Sequence, residues 1–178
     1  INTSEKRGLG MKKIRLGLLL LAALLLPAAL AQATSTTIMM YMCGTDLQSA
    51  CVQDMYEMAS VDVPDEITIA VQAGGAYEWD DSDLTGEAIN RFTIRYDAFN
   101  ELETLPWASM AEQQTLYDFI DWAVDTHPAD RYILVLWNHG GGYTGVCFDE
   151  TADYDSLTIH EVNDALYEYS ECNPSFHL

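Results

Sequence analysis

An α/β fold, with a mostly parallel central sheet flanked by helices, is predicted by three features of the sequence. Strand, helix and strand follow one another between Thr36 and Val71, and a unit of that kind closes as a parallel pair through a right-handed crossover. An unbroken apolar run from Tyr132 to Trp137, with Ile133 and Val135 β-branched, reads as a central strand buried on both faces. Helical periodicity precedes and follows that run, supplying the flanking layers.

The sequence opens on Ile1, and residues 1–10 are read as an upstream extension ahead of Met11. Lys12, Lys13 and Arg15, an apolar run from Leu16 to Leu26, and Ala31-Gln32-Ala33 form the pattern of a secretory signal peptide cut after Ala33. The run falls short of the roughly 20 apolar residues of a bilayer span. Residues 34–178 are then one secreted or periplasmic domain, with no membrane contact after cleavage.

Cleavage removes five of the eight basic residues and one of the 28 acidic ones, leaving three against 27 and a net charge of −24. Phosphate recognition needs clustered Lys and Arg, so nucleic acid is excluded as a partner. Basic peptides or divalent cations suit such a surface, as does plain solubility. Cys43, Cys51, Cys147 and Cys172 allow three full disulfide pairings, fit free buried thiols equally, and lack the short paired spacing of a zinc site.

Thr36 to Met42 is a buried strand ending at Gly44, and Asp46 is placed to cap the helix that follows. Leu47, Cys51, Met55 and Met58 recur at helical spacing to about Ser60. Ile67 to Val71 is the second strand, and residues 76–86 are an acidic surface loop. Ala88 to Tyr96 alternates, with Arg91 and Arg95 opposite Phe92 and Ile94, as a half-exposed hairpin or edge strand does. Ser109 and Glu112 form a capping box for a helix to about Thr126, which Pro128 prevents from continuing. After the run at 132–137 an Asp- and Thr-rich loop reaches Ser156. Thr158 and Glu161 cap a second helix to about Glu171, and Ser175 to Leu178 begins a further strand.

Parallel strands in open α/β sheets deliver functional residues at their carboxyl ends. Asn138 and His139 stand there, followed by Gly140, Gly141 and Gly142, which let the backbone approach a ligand closely. His127, His160 and His177 are read as structural. The carboxylates of 149–155 keep calcium as an alternative, although the loop lacks the central Gly and terminal Glu of an EF-hand; otherwise no cofactor is expected.

The segments T-I-M-M-Y-M (37–42), D-F-I-D-W-A (118–123), H-P-A-D-R-Y-I-L-V-L-W-N-H-G-G-G (127–142) and L-T-I-H-E-V-N-D-A-L (157–166) together resemble the clostripain family of cysteine peptidases. The resemblance covers 36–178 and implies a caspase-like three-layer sandwich. It also implies a polypeptide substrate and cleavage after basic residues. It makes His139 the catalytic histidine and the Gly140 N–H a candidate oxyanion donor. The family's nucleophile ends the next strand in an Asp-Ala-Cys context, which this sequence does not contain. Residues 34–178 therefore read as the amino-terminal part of the peptidase domain, inactive alone. Cys147, in a loop, and Cys172, near a helix end, are poor substitutes. Two other readings compete: a lipase- or esterase-like hydrolase using His-Gly-Gly-Gly as its oxyanion hole, and a non-enzymatic acidic binding domain.

Overall fold

The apolar runs at 36–43, 67–74 and 131–137 become strands β1 (Thr36–Cys43), β2 (Ile67–Gly74) and β5 (Arg131–Trp137), joined by β3 (Ile89–Arg95) and β4 (Ala98–Leu105). The computed structural model describes residues 34–80, 82–173 and 176. The extension at 1–10 and the signal peptide at 11–33 lie outside the described residues. The sheet order is β4-β3-β2-β1-β5. β1 runs parallel to both β2 and β5, whereas β3 is antiparallel to β2 and β4 to β3. The sheet is thus mixed, with the parallel strands at one side.

Helix α1 (Gln48–Ala59) covers one face, and α2 (Gln113–Thr126) and α3 (Ile159–Cys172) cover the other. Because side chains alternate along a strand, β1 serves both cores. Met39 and Tyr41 join Leu116, Phe119 and Ile120 of α2, while Met42 joins Val52 and Met55 of α1. Each fully buried apolar side chain contributes about 1.5–3 kcal/mol. Tyr41 satisfies its buried hydroxyl by donating to the Met110 carbonyl at 2.9 Å.

Several boundaries differ from the sequence reading. Residues 109–112 are not the first helical turn: Ser109 Oγ accepts from Ala111 N–H, Asp149 captures Met110 N–H at 2.7 Å, and α2 begins only at Gln113. The Thr158–Glu161 capping box does form at the start of α3. The expected loop to Ser156 contains a small hairpin, β6 (Val146–Asp149) against β7 (Asp155–Leu157). Strand β3 is interior rather than an edge, since β4, polar and largely exposed, lies outside it. Arg91 is drawn over the Trp122 ring at 5.4 Å and donates to Gln72 Oε1.

The largest difference is β5. It pairs only with β1 among the described residues and is the outer strand, not a central one. Ile133 is 49% exposed, and Leu134, Val135, Leu136 and Trp137 are half-buried. An apolar run reports where a strand expects neighbours, not whether the neighbours are present. The strand expected at 175–178 falls outside the described residues except for Phe176. That residue is in no strand, and its ring packs on Tyr132 and Tyr169.

Candidate active site

The carboxyl ends of β1, β2 and β5 converge because the three strands are parallel and in register from Thr36, Ile67 and Arg131 onward. Three short turns leave that edge: Gly44-Thr45-Asp46, Gly75-Ala76, and Asn138-His139-Gly140.

Asn138 ties the ends together. Its side-chain amide donates to the Cys43 carbonyl at 2.8 Å, and its side-chain oxygen accepts from Phe148 N–H at 3.0 Å. The Asn-His pair therefore divides its work: Asn138 fastens β5 to β1 and β6, and His139 faces outward. The His139 ring is half exposed, and its Nε2 lies 3.1 Å from Asp46 Oδ1. Asp46 was expected to cap the first helix, but α1 begins at Gln48 behind an N-cap at Leu47 that makes no side-chain bond. The carboxylate is turned to the histidine instead. Sequence reasoning missed this role. The signal available was position: Asp46 leaves the carboxyl end of a strand parallel to the one that His139 follows.

The three glycines are not equivalent. Gly142 has φ +67, a conformation that costs other residues roughly 1–2 kcal/mol. A Cβ on Gly141 would lie 2.2 Å from Thr144 Oγ1, in the turn closed by Gly141 N–H to the Gly145 carbonyl. At Gly140 neither constraint operates: a Cβ there would meet nothing within 4 Å. The chain's own packing does not require glycine at that position, and the space beside His139 is open.

None of the thiols competes for the role of nucleophile. Cys43, Cys51 and Cys147 are buried and Cys172 is exposed, all as free thiols. Burial pushes the Cys147 thiol up to about 12 and raises Cys43 and Cys51 strongly, the opposite of the lowered value that makes a thiolate available. Cys172 ends α3, far along the chain from the His139 turn.

The acidic segment 149–155 does not gather its carboxylates. Asp149 is fully buried and accepts from Met110 N–H, Thr151 N–H and Thr151 Oγ1 at 2.6–2.8 Å. Among the described residues no three His, Cys, Asp or Glu side chains are arranged to hold a metal ion. His127 closes α2, with burial holding its imidazole below the usual value, and His160 is exposed in the first turn of α3. His177 lies outside the described residues. A cavity of about 620 Å³ lined by Thr68, Thr93, Arg95 and His127 opens at the other end of the sheet. It shares no residue with the His139 turn.

The profile of the Clostripain family matches residues 40–176. Clostripain of Hathewaya histolytica is 26% identical over 161 residues, an alignment that covers 72% of this chain and 31% of the relative. The chain therefore spans about a third of the length of that curated relative. A secreted cysteine protease of Bacteroides thetaiotaomicron, crystallised with an irreversible peptide inhibitor, shares the fold with a TM-score of 0.58 at 19% identity. It is matched over 75% of this chain and 39% of its own. A second structure from that organism, named iotapain, gives 0.61 at 15% identity, over 77% and 43%.

Proposed function

The chain belongs to the clostripain family of cysteine proteases, and from that membership we propose that it carries the histidine half of a catalytic pair. The observation that supports this most directly is His139. It stands at the carboxyl end of a parallel strand, half exposed, held by a carboxylate, beside a glycine whose surroundings are open. The esterase and binding-domain readings have no comparable support.

In this reading the nucleophile is a cysteine supplied by polypeptide outside the present sequence, reaching the outer side of β5. The imidazole takes the thiol proton, and the thiolate attacks the scissile carbonyl carbon, forming a C–S bond as the carbonyl oxygen becomes an oxyanion. In this reading the Gly140 N–H donates to that oxyanion, a contact worth about 3 kcal/mol in the transition state. The imidazolium returns its proton to the departing amine, and the C–N bond breaks. Water, deprotonated by the same imidazole, then hydrolyses the thioester.

The substrate is a polypeptide cut after basic residues, a preference that the net charge of −24 on residues 34–178 favours at long range. The protein acts outside the cytoplasm, as the secreted relative does and as the pattern at 11–33 suggests. In the full-length polypeptide that contains this sequence, His139→Ala abolishes cleavage of a peptide with a basic residue before the scissile bond. His160→Ala leaves it intact. The result that overturns the reading is cleavage undiminished by His139→Ala, or lost equally on His160→Ala.

A further inference from the structure

We infer that Asp46 is a positioning residue for His139, fixing which ring nitrogen acts as the base. The inference rests on the catalytic reading of His139 and adds a residue to it.

An exposed ion pair is ordinarily worth little, so proximity alone decides nothing. What distinguishes Asp46 is how it is held. It follows Thr45, a β-branched residue at φ 48, where only glycine sits without cost. That conformation is kept by bonds on all sides. Gly44 N–H donates to the Gly74 carbonyl at 2.8 Å, Thr45 N–H to the Gly75 carbonyl at 3.0 Å, and Thr45 Oγ1 to the Phe148 carbonyl. Thr45 is buried while the next side chain is delivered to the surface. Strained backbone retained by its surroundings concentrates at sites where a side chain must be aimed. Here the side chain aimed is a carboxylate, it does not cap α1, and its hydrogen bond among the described residues goes to His139 Nε2 at 3.1 Å.

The chemistry follows from donor and acceptor counts. An ionised carboxylate only accepts, so the neutral imidazole must carry its proton on Nε2 to make this bond. Nδ1 is then left with the free lone pair. The thiol proton moves to Nδ1 as the S–H bond breaks, and it leaves Nδ1 for the departing amine. Throughout, Asp46 keeps its charge, takes up no proton, and faces an imidazolium at the stage where its attraction is largest. Without the carboxylate a half-exposed ring is free to change tautomer and to rotate away.

The test uses the full-length enzyme with Asp46→Ala, Asp46→Asn and His139→Ala measured in parallel. Asp46→Ala is expected to lower kcat by about 10- to 100-fold with KM changed less than about 2-fold. That is below the roughly 10⁴-fold of a buried orienting carboxylate, because this pair is half in water. Asp46→Asn retains an acceptor for Nε2–H but no charge, and falls between wild type and Ala. The thermal midpoint is expected to move by less than about 3 °C, as for a surface pair. Nitrogen NMR should show His139 protonated on Nε2 in the wild type and in mixed tautomers in Asp46→Ala. If His139→Ala is inactive while Asp46→Ala keeps kcat within about 2-fold, or leaves the tautomer unchanged, the positioning role is overturned and the catalytic histidine stands. If His139→Ala stays active, the catalytic reading itself fails. If Asp46→Ala does not fold, Asp46→Asn carries the same comparison.

Discussion

Asp149→Ala is expected to destabilise the domain by about 2–5 kcal/mol, through its partners rather than through lost volume. The carboxylate is fully buried and accepts three hydrogen bonds. Truncation leaves Met110 N–H buried without an acceptor, at about 1–3 kcal/mol. Thr151 N–H and Oγ1 lie nearer the surface and recover water, so each costs about 0.5–1 kcal/mol. Asp149→Asn discriminates between this account and simple packing. Its single carbonyl oxygen can serve Thr151 or Met110, but its amide group then faces the other donor, so it should recover only about half the loss. Urea unfolding of the three proteins, followed by tryptophan fluorescence, gives the comparison directly. An Ala variant within about 1 kcal/mol of wild type, or an Asn variant equal to wild type, would refute the reasoning.

Two further outcomes are expected. Stability should fall as pH rises from about 9 toward 12. Burial raises the Cys147 thiol from 9.0 to about 12 and the Tyr169 phenol from 10.0 to about 12, so the folded state holds protons that the unfolded chain releases. That stability is intact below the unfolded values and lost through the folded ones. Unfolding midpoints at about pH 8 and pH 10.5 test it, and Cys147→Ala should reduce the difference without removing it, because Cys43, Cys51 and Tyr169 are raised by burial as well; a rising midpoint would contradict it. Gly142→Ala should cost about 1 kcal/mol through its left-handed backbone, whereas Gly140→Ala, with open space around it, should cost almost nothing in the same unfolding measurement.

The sheet's parallel strands and its helices were legible because their signals are local. Apolar runs mark β1, β2 and β5, and Thr158 and Glu161 form their capping box from residues three apart. Ser109 and Glu112 carry the same local signature, yet Ser109 Oγ accepts from Ala111 N–H, Asp149, 39 residues on, holds the Met110 N–H, and the helix starts only at Gln113. Strand β4 escaped notice because its exposed glutamates carry no burial pattern. In the candidate site, His139 stands out in the sequence by its place at the end of an apolar run. Asp46 was misread because a carboxylate just before a helix looks like a cap. Its true partner is 93 residues away and is reached only when β1 and β5 align in register.

The outer edge of β5 has a physical consequence beyond catalysis. A row of backbone donors and acceptors without partners among the described residues, next to an Ile133 that is 49% exposed, is a template on which another copy's strand can add. Residues 34–178 meet that hazard with charge: at −24, copies repel before their edges touch. The protection is colloidal, and its reach is the Debye length, about 10 Å at 0.1 M salt and about 3 Å at 1 M. Raising the ionic strength therefore weakens this protection.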